Sequence, residues 1–195
     1  MSGKTATPIL ITQTTLIDGA GAAPLPDAAI LIRDGRIVAA GHSAAVRAHP
    51  EVAQAELVDA SGTWTIPGLI DAHIHSALTG FESMPVFLAC GVTTVRDVGG
   101  PLDVLTAIRD RLAANESPGP RFVFCGPLID GEPASFPSGM LPILQSTPDA
   151  EAAAALADEC VARGAGAVKL YFRLPRESLR AAIERVNGRV PVTGH

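Results

Sequence analysis

Two histidines two residues apart end a short apolar stretch of the chain. His73 and His75 close L69–I–D–A–H–I–H75, which follows a Pro-Gly pair and has the length and composition of a strand. Alternate side chains of a strand point to the same side, so both imidazoles share one face. Neutral imidazoles are good zinc ligands. The pattern indicates either a metal site, with Asp71 on the same face as an orienting group, or simply two polar residues at a strand end.

Lys169 interrupts an otherwise apolar strand, A167–V–K–L–Y–F172. Burying an ammonium group is costly unless it is paired or chemically altered. Either the amine reaches the strand end or an acidic partner, or burial lowers its pKa. A neutral amine can take up CO₂ as a carbamate, an anionic oxygen ligand that bridges two metal ions. Tyr171 follows on the same face and is either a substrate contact or a stacked core tyrosine.

His195 is the last residue and follows V192–T–G, at the carboxyl end of another predicted strand. Barrel enzymes build their sites at the carboxyl ends of strands. His195 is therefore a third candidate ligand, the alternative being a terminal residue without a role. For Arg96 and Asp97, near the end of a further strand, the expectation is a structural ion pair.

Strands and helices alternate after Pro67 and must position these residues. The predicted strands are 69–75, 92–98, 121–126, 167–172 and 190–195, and the predicted helices are 81–91, 102–114, 150–164 and 176–188. Such alternation is typical of a parallel sheet with helical crossovers. About 130 residues follow Pro67, whereas a full (β/α)₈ barrel takes roughly 250. The pattern therefore predicts part of a barrel or a complete small open sheet.

Two further stretches have a different character. The Pro- and Gly-rich segment 126–148 is too long for an ordinary connection and is expected to be a functional loop. Before Pro67, short strands alternate with turns, and Asp34-Gly35 is a hairpin signal. This region predicts a small antiparallel sheet with strands at 9–18, 28–33, 36–41, 56–59 and 63–67.

Composition excludes several classes of protein. Hydrophobic residues make up 47% and charged residues 18%, which excludes a disordered chain. A net charge of −5 with scattered basic residues argues against nucleic-acid binding. No apolar run approaches a membrane span or a signal peptide. Three separated cysteines (Cys90, Cys125 and Cys160) form no disulfide framework, and a cytoplasmic location is expected.

Five segments, in order, resemble the amidohydrolase superfamily, and within it the imidazolonepropionase-like and prolidase-like branch. They are P67–G–L–I–D–A–H–I–H, G91–V–T–T–V–R–D–V–G–G, G119–P–R–F, G164–A–G–A–V–K–L and V192–T–G–H. D34–G–R–I–V–A–A–G resembles the small sandwich of these enzymes. The resemblance implies an α/β fold. Residues 67–195 would form about the first five units of a (β/α)₈ TIM barrel, and residues 1–66 the N-terminal part of a β-sandwich.

The resemblance also implies a metal-dependent hydrolase. A metal-activated hydroxide would attack an amide, cyclic amide or dipeptide C–N bond of a small-molecule substrate. His73 and His75 would bind one metal, carboxylated Lys169 would bridge to a second, and His195 would bind that second ion. Zn²⁺, one or two ions, suits these ligands, as would manganese, cobalt or iron. Tyr171 would contact substrate, CO₂ would supply the carbamate, and a homo-oligomer is compatible with the pattern.

The family pattern continues beyond a fifth strand, with a late histidine and a general-base aspartate that these 195 residues lack. One expectation is therefore the N-terminal part of a hydrolase about twice as long. Another is a catalytically inactive, metal-binding remnant whose open sheet edge and bare apolar helix faces promote association. A third, a small open-sheet binding module, predicts no metal and tolerance of His73→Ala.

Overall fold

The computed structural model describes residues 6–137 and 141–194. The chain divides into two compact units, Met1–Pro67 and Gly68–His195. Each unit has a hydrophobic core of its own, built in the first around Leu10, Leu31 and Val46. No helix within the described ranges is long and apolar enough to cross a membrane.

The first unit is a five-stranded sheet with strand order β3-β2-β1-β4, in which β5 also pairs with β1. Helix α1 and a 3₁₀ turn at Pro50–Gln54 connect β3 to β4. The bounds are β1 Ile9–Leu16, β2 Leu25–Arg33, β3 Arg36–His42, α1 Ser43–Arg47, β4 Glu56–Asp59 and β5 Trp64–Thr65.

The hairpin between β2 and β3 forms where the sequence predicts it. Asp34 and Gly35 both have positive φ, 50° and 71°. A two-residue type I′ turn requires positive φ at both central positions, and Asp-Gly supplies it at low cost. The turn sets the antiparallel register in which Arg33 pairs with Arg36.

The prediction of an antiparallel sheet is wrong for its last two strands. β1 pairs antiparallel with β2, but β4 and β5 pair parallel with β1. The cause is the crossover through α1 and the 3₁₀ turn, which returns the chain to the end of the sheet where β1 begins. Parallel neighbours need a long connection of this kind, and strand composition does not reveal it.

The second unit alternates strands and helices, as predicted. Its strands are β6 Leu69–Ile74, β7 Val92–Asp97, β8 Arg121–Phe124, β9 Leu128–Asp130, β10 Leu144–Ser146, β11 Val168–Lys169 and β12 Val192–Thr193. Its helices are α2 Ser76–Thr79, α3 Met84–Ala89, α4 Leu102–Ala113, α5 Ala150–Ala162 and α6 Arg176–Val186. The helix predicted from residue 81 starts at Met84, because a 3₁₀ turn occupies Phe81–Ser83.

The strands of the second unit run parallel. β6, β7 and β8 form one parallel sheet in that order, and β9–β10 and β11–β12 are parallel pairs. Several contacts connect these groups; for example, the Gly166 N–H donates to the Phe124 carbonyl at 2.9 Å, and Ile129 forms a parallel bridge with Leu170. Parallel strands gather their carboxyl ends at one edge, and His73, His75 and Lys169 lie at strand ends of this kind.

The segment 126–148 is not a plain loop, contrary to the prediction. It contains β9 and β10, which pair from Leu128–Leu144 to Ser146–Asp130. Strands of three residues are too short to leave a periodic pattern in the sequence. Its two short strands therefore pair with each other, and β9 also contacts the neighbouring strand through Ile129 and Leu170.

Helical packing in this unit follows the predicted spacing. Leu102, Leu105 and Ile108 of α4 are buried, as an apolar face recurring every three to four residues requires. Leu105 joins the larger core cluster with Phe124 and Val168, while Ile108 joins a second cluster under β6 and β7. The helices thus fix the strands whose ends carry the site.

Candidate functional site

The two histidines of the HxH pair lie together at the end of β6. Their ring centroids are 5.5 Å apart and the rings are nearly perpendicular. Ile74, between them, is buried in the cluster that contains Val95, so the imidazoles project from the opposite face of the strand. His73 is exposed and His75 half-buried. The Asp71 carboxylate accepts the His73 main-chain N–H at 3.1 Å and so supports the strand end.

The imidazole of His75 is oriented by the loop after β7. Its Nδ1 lies 2.9 Å from the carbonyl oxygen of Gly99. A carbonyl only accepts, so Nδ1 carries the proton and Nε2 keeps its lone pair. This is the usual arrangement of a metal-binding histidine, whose second nitrogen donates to a carbonyl or carboxylate.

Gly99 is required at its position by this close approach. A Cβ there would lie 2.9 Å from Cε1 and 3.0 Å from Nδ1 of His75, and 3.1 Å from Cγ of Leu128. All three distances are shorter than ordinary van der Waals contact. The carbonyl reaches the ring because Gly99 has no side chain.

Asp97, the last residue of β7, is fully buried beside this loop. Its Oδ2 accepts the main-chain N–H of Ser76 at 2.6 Å and the Ser76 hydroxyl at 2.5 Å, and its Oδ1 accepts the Gly99 N–H at 2.9 Å. Burial raises the pKa of Asp97, and these hydrogen bonds oppose the rise.

The predicted ion pair between Arg96 and Asp97 is wrong. Consecutive residues of a strand point to opposite faces, so the two side chains separate. Arg96 donates through Nε to the Ala72 carbonyl at 2.9 Å, across to β6.

Lys169 is buried, with only 4% of its surface exposed, as the interrupted apolar strand predicts. Its Nζ donates to the Gly194 carbonyl at 3.3 Å. Loss of hydration lowers the pKa of Lys169; the Arg96 guanidinium adds to this and the Cys125 thiol opposes it. The environment therefore favours the neutral amine, the form that reacts with CO₂.

Cys125 lies between the two groups of candidate ligands. The thiol interacts electrostatically with Arg96, Asp97 and Lys169, and its main-chain N–H donates to the Asp97 carbonyl at 2.9 Å. Burial raises its pKa to about 11, so the thiol is protonated at neutral pH. The residues that support His75 and the residues around Lys169 are therefore neighbours.

Tyr171 lies between two other aromatic rings. The ring centroids of Phe136 and Phe172 are 6.0 Å and 4.6 Å from its own. Its main-chain N–H donates to the Ile129 carbonyl at 2.8 Å. Phe136 belongs to the segment 126–148, so Tyr171 connects that segment to the strand of Lys169.

His195 lies outside the described residues. β12, the strand before it, pairs with β11 so that Thr193 lies opposite Lys169. Among the residues described, no cluster of three or more His, Cys, Asp and Glu side chains is arranged to hold a metal ion. Of the predicted ligands, only His73 and His75 are both described and of these residue types, because Lys169 is a lysine.

Sequence reasoning named His73 and His75 as candidate ligands but missed the residues that support His75. Asp97 and Gly99 both lie in the segment D97–V–G–G, whose composition alone indicates an ordinary turn. The available signal was a charged residue at the end of a strand followed by two glycines. Only the pairing of β6 with β7 shows which imidazole this segment contacts.

Two curated enzymes match segments of the chain, whereas no family model matches it. Over 62 residues the chain is 48% identical to an imidazolonepropionase of Methylobacterium sp. (strain 4-46), an alignment covering 31% of this chain and 15% of that enzyme. Over 75 residues it is 40% identical to a dihydroorotase of Pelotomaculum thermopropionicum, covering 38% and 16%.

The fold matches along almost the whole chain. A crystal structure of a prolidase complexed with N-methylphosphonate-L-proline superposes with a TM-score of 0.80 and 19% identity, covering 97% of this chain and 56% of the prolidase. In these segments and in its fold, the chain is similar to enzymes of the amidohydrolase superfamily. The chain spans about half the length of the prolidase, and the aligned segments span about a sixth of the two curated enzymes.

Proposed function

We propose that this chain carries the first part of a metal-dependent centre that hydrolyses a C–N bond in an amide, cyclic amide or dipeptide. The observation that carries the proposal is the orientation of His75, whose Nδ1 donates to the Gly99 carbonyl while its ring lies beside His73. This leaves Nε2 of His75 as a donor atom on the face that the two imidazoles share.

The donor set fits a divalent metal ion, zinc above others. His73 and His75 would hold one ion through neutral imidazoles, and Lys169, as a carbamate, would connect it to a second ion held by His195. A bound ion would supply Lewis acidity and lower the pKa of water. The family resemblance assigns the general base to an aspartate after an eighth strand, and no residue of this chain is assigned that role.

The chain's own residues would prepare this centre. The Gly99 carbonyl keeps the Nδ1 proton of His75 in place. Burial lowers the pKa of Lys169, which favours its neutral amine. Tyr171 would contact a small-molecule substrate from the strand that carries Lys169. We assign no nucleic-acid or membrane partner and expect the cytoplasm as the location.

The same proposal covers the architecture. Residues 67–195 would be about the first five units of a (β/α)₈ barrel, and residues 1–66 the N-terminal part of a β-sandwich. Support comes from the parallel pairing in the second unit and from the superposition on the prolidase over 97% of this chain.

Carbamate formation at Lys169 can be tested with a matched control, because the chain has only two lysines, Lys4 and Lys169. We expect ¹³C-bicarbonate and zinc to give one carbamate carbon resonance. The signal should persist in Lys4→Ala and vanish in Lys169→Ala. A carbamate signal that is lost with Lys4 instead would contradict the assignment.

Hydrolysis is tested on the same preparations, loaded with zinc, manganese or cobalt, against a Xaa-Pro dipeptide, dihydroorotate and imidazolonepropionate. Turnover that disappears in His75→Ala would support a complete activity in this chain. Metal binding without turnover would support the alternative, a metal-binding but catalytically inactive chain. A surface variant, Asp103→Asn, serves as the control for handling losses.

A further inference from the structure

We propose that Asp97 is a positioning residue for His75: its buried carboxylate fixes the two main-chain segments that set the place and the tautomer of the imidazole. The inference rests on the proposed function, in which His75 binds a metal ion. It assigns to Asp97 no contact with metal or substrate.

The geometry places one carboxylate between the two supports of the ring. Oδ2 holds Ser76, the residue that directly follows His75, through both its N–H and its hydroxyl. Oδ1 holds the N–H of Gly99, the residue whose carbonyl accepts the Nδ1 proton of His75. Asp97 therefore connects the backbone of the ligand to the backbone of the ligand's hydrogen-bond acceptor.

Other contacts hold the flanks of the loop but not this connection. The Val98 N–H donates to the Ile74 carbonyl at 3.0 Å, and the Gly100 N–H donates to the Gly126 carbonyl at 3.2 Å. Neither fixes the N–H of Gly99 or the residue after His75. Since Gly99 has no side chain, the hydrogen bond from its N–H to Asp97 is a main constraint on its orientation.

A carboxylate suits this position better than an amide. Ser76 and Gly99 together present three donors, and an ionised carboxylate is acceptor-only. In Asp97→Asn one oxygen becomes an NH₂ group, which would face the N–H of either Ser76 or Gly99. A buried donor is then left without an acceptor, and the segment bearing it moves.

Asp130 supplies a matched control for a purely structural role. It is also fully buried at the end of a strand, β9, and its carboxylate also accepts two main-chain N–H groups. Those groups belong to Ser135 at 2.8 Å and Arg173 at 3.0 Å, away from the His75 loop. Asp130→Asn should therefore cost stability without changing His75.

The test is the tautomer of His75 in the full chain without metal. ¹⁵N-histidine-labelled wild type, Asp97→Asn and Asp130→Asn are compared by long-range ¹H–¹⁵N NMR at pH 8, with His75→Gln identifying the signals. We expect the Nδ1–H form to dominate in wild type and Asp130→Asn, and a shift to mixed tautomers in Asp97→Asn. An unchanged His75 in Asp97→Asn would overturn the proposal.

Metal affinity gives a second readout. Loss of a residue that supports a metal ligand typically weakens binding about 10- to 100-fold. We expect zinc affinity to fall by this factor in Asp97→Asn and to stay unchanged in Asp130→Asn. Equal losses of affinity in both variants would mean that Asp97 has only a structural role, which would overturn the proposal. If Asp97→Asn does not fold, Asp97→Ser, whose shorter side chain has a single oxygen, replaces it, and an unchanged His75 spectrum there overturns the proposal.

The two proposals fail in different ways. A wild-type chain that binds no metal contradicts the proposed function, while the tautomer comparison still decides the role of Asp97. A wild-type chain that binds metal, with the same tautomer in Asp97→Asn, contradicts only the positioning role.

Discussion

At the scale of single residues, the site depends on the close approach of Gly99 to the imidazole of His75. Gly99→Ala would place a methyl group 2.9 Å from Cε1 of the ring. We expect the ring or the loop to move, at a cost of about 1–3 kcal/mol in the free energy of unfolding, as for other overpacked sites. Zinc affinity should fall with it, which isothermal titration calorimetry would measure.

The control for this substitution is Gly188→Ala. Gly188 has a φ of +74° and open space where a Cβ would lie. A left-handed alanine costs roughly 1–2 kcal/mol, so the loss of stability should be comparable. Zinc affinity should stay at the wild-type value. Equal loss of affinity in both variants would contradict the specific role of Gly99.

The three cysteines should differ in reactivity. Cys90 is exposed, whereas burial raises the pKa of Cys125 to about 11 and that of Cys160 to about 12. The thiolate is the reactive form, so at pH 8 the native chain should react rapidly with Ellman's reagent at one thiol. Urea should expose all three. Rapid reaction of three thiols in the native chain would show that the parallel strands around Cys125 are not packed as described.

Whether the sequence predicts the role of a residue depends on how far along the chain its contacts lie. His73, His75 and Lys169 stand out because their types conflict with apolar strands, which is a local property. Asp97 and Gly99 do not, since their role comes from hydrogen bonds to a strand more than 20 residues earlier. The same limit explains the wrong ion pair at Arg96, whose partner is a main-chain carbonyl of β6.

At the scale of elements, α5 depends on its N-cap. Asp149 is extended, and its Oδ1 accepts the N–H of Ala152 at 2.8 Å, which satisfies one of the free donors at the helix start. We expect Asp149→Ala to lower the free energy of unfolding by about 0.5–2 kcal/mol and Asp149→Asn to retain most of it. Urea unfolding followed by circular dichroism measures both.

A second aspartate on the same helix controls for loss of charge. Asp158 pairs with Arg189 on the surface, and an exposed pair of this kind contributes little to stability. Asp158→Ala should therefore cost less than Asp149→Ala. The reverse order would show that the cap does not hold α5 onto α6 and the core.

Element prediction succeeded where periodicity spans several turns and failed where pairing decides. α4, α5 and α6 follow from apolar spacing and closing signals in the sequence. The direction of β4 and the presence of β9 and β10 do not, because a four-residue or three-residue strand has no pattern of its own. Their positions depend on pairing with distant strands such as β1, and the local sequence does not indicate that pairing.

At the scale of the whole molecule, the buried amine of Lys169 should make stability depend on pH. Its pKa is lowered from the ordinary value of 10.5, so the folded chain binds fewer protons than the unfolded chain between the two pKa values. The sign follows: the cost is absent above about 10.5, grows as the pH falls from there towards the folded pKa, and is constant below it. In CO₂-free buffer, stability should rise from pH 7 to pH 10.

Lys169→Met should abolish this rise, and Lys4→Met should leave it intact. Urea midpoints at several pH values between 7 and 10 measure the difference. A wild-type slope equal to that of Lys169→Met would mean that Lys169 is solvated rather than buried.

The proposed metal centre contains His73, His75 and Lys169. The measurement that tests it most directly is the metal content of the purified chain, by elemental analysis after dialysis against zinc and bicarbonate. We expect at least one zinc ion per chain, lost in His75→Ala, reduced in Lys169→Ala and retained in Lys4→Ala. A folded wild-type chain that retains no zinc, or a His75→Ala chain that retains as much as wild type, would contradict it.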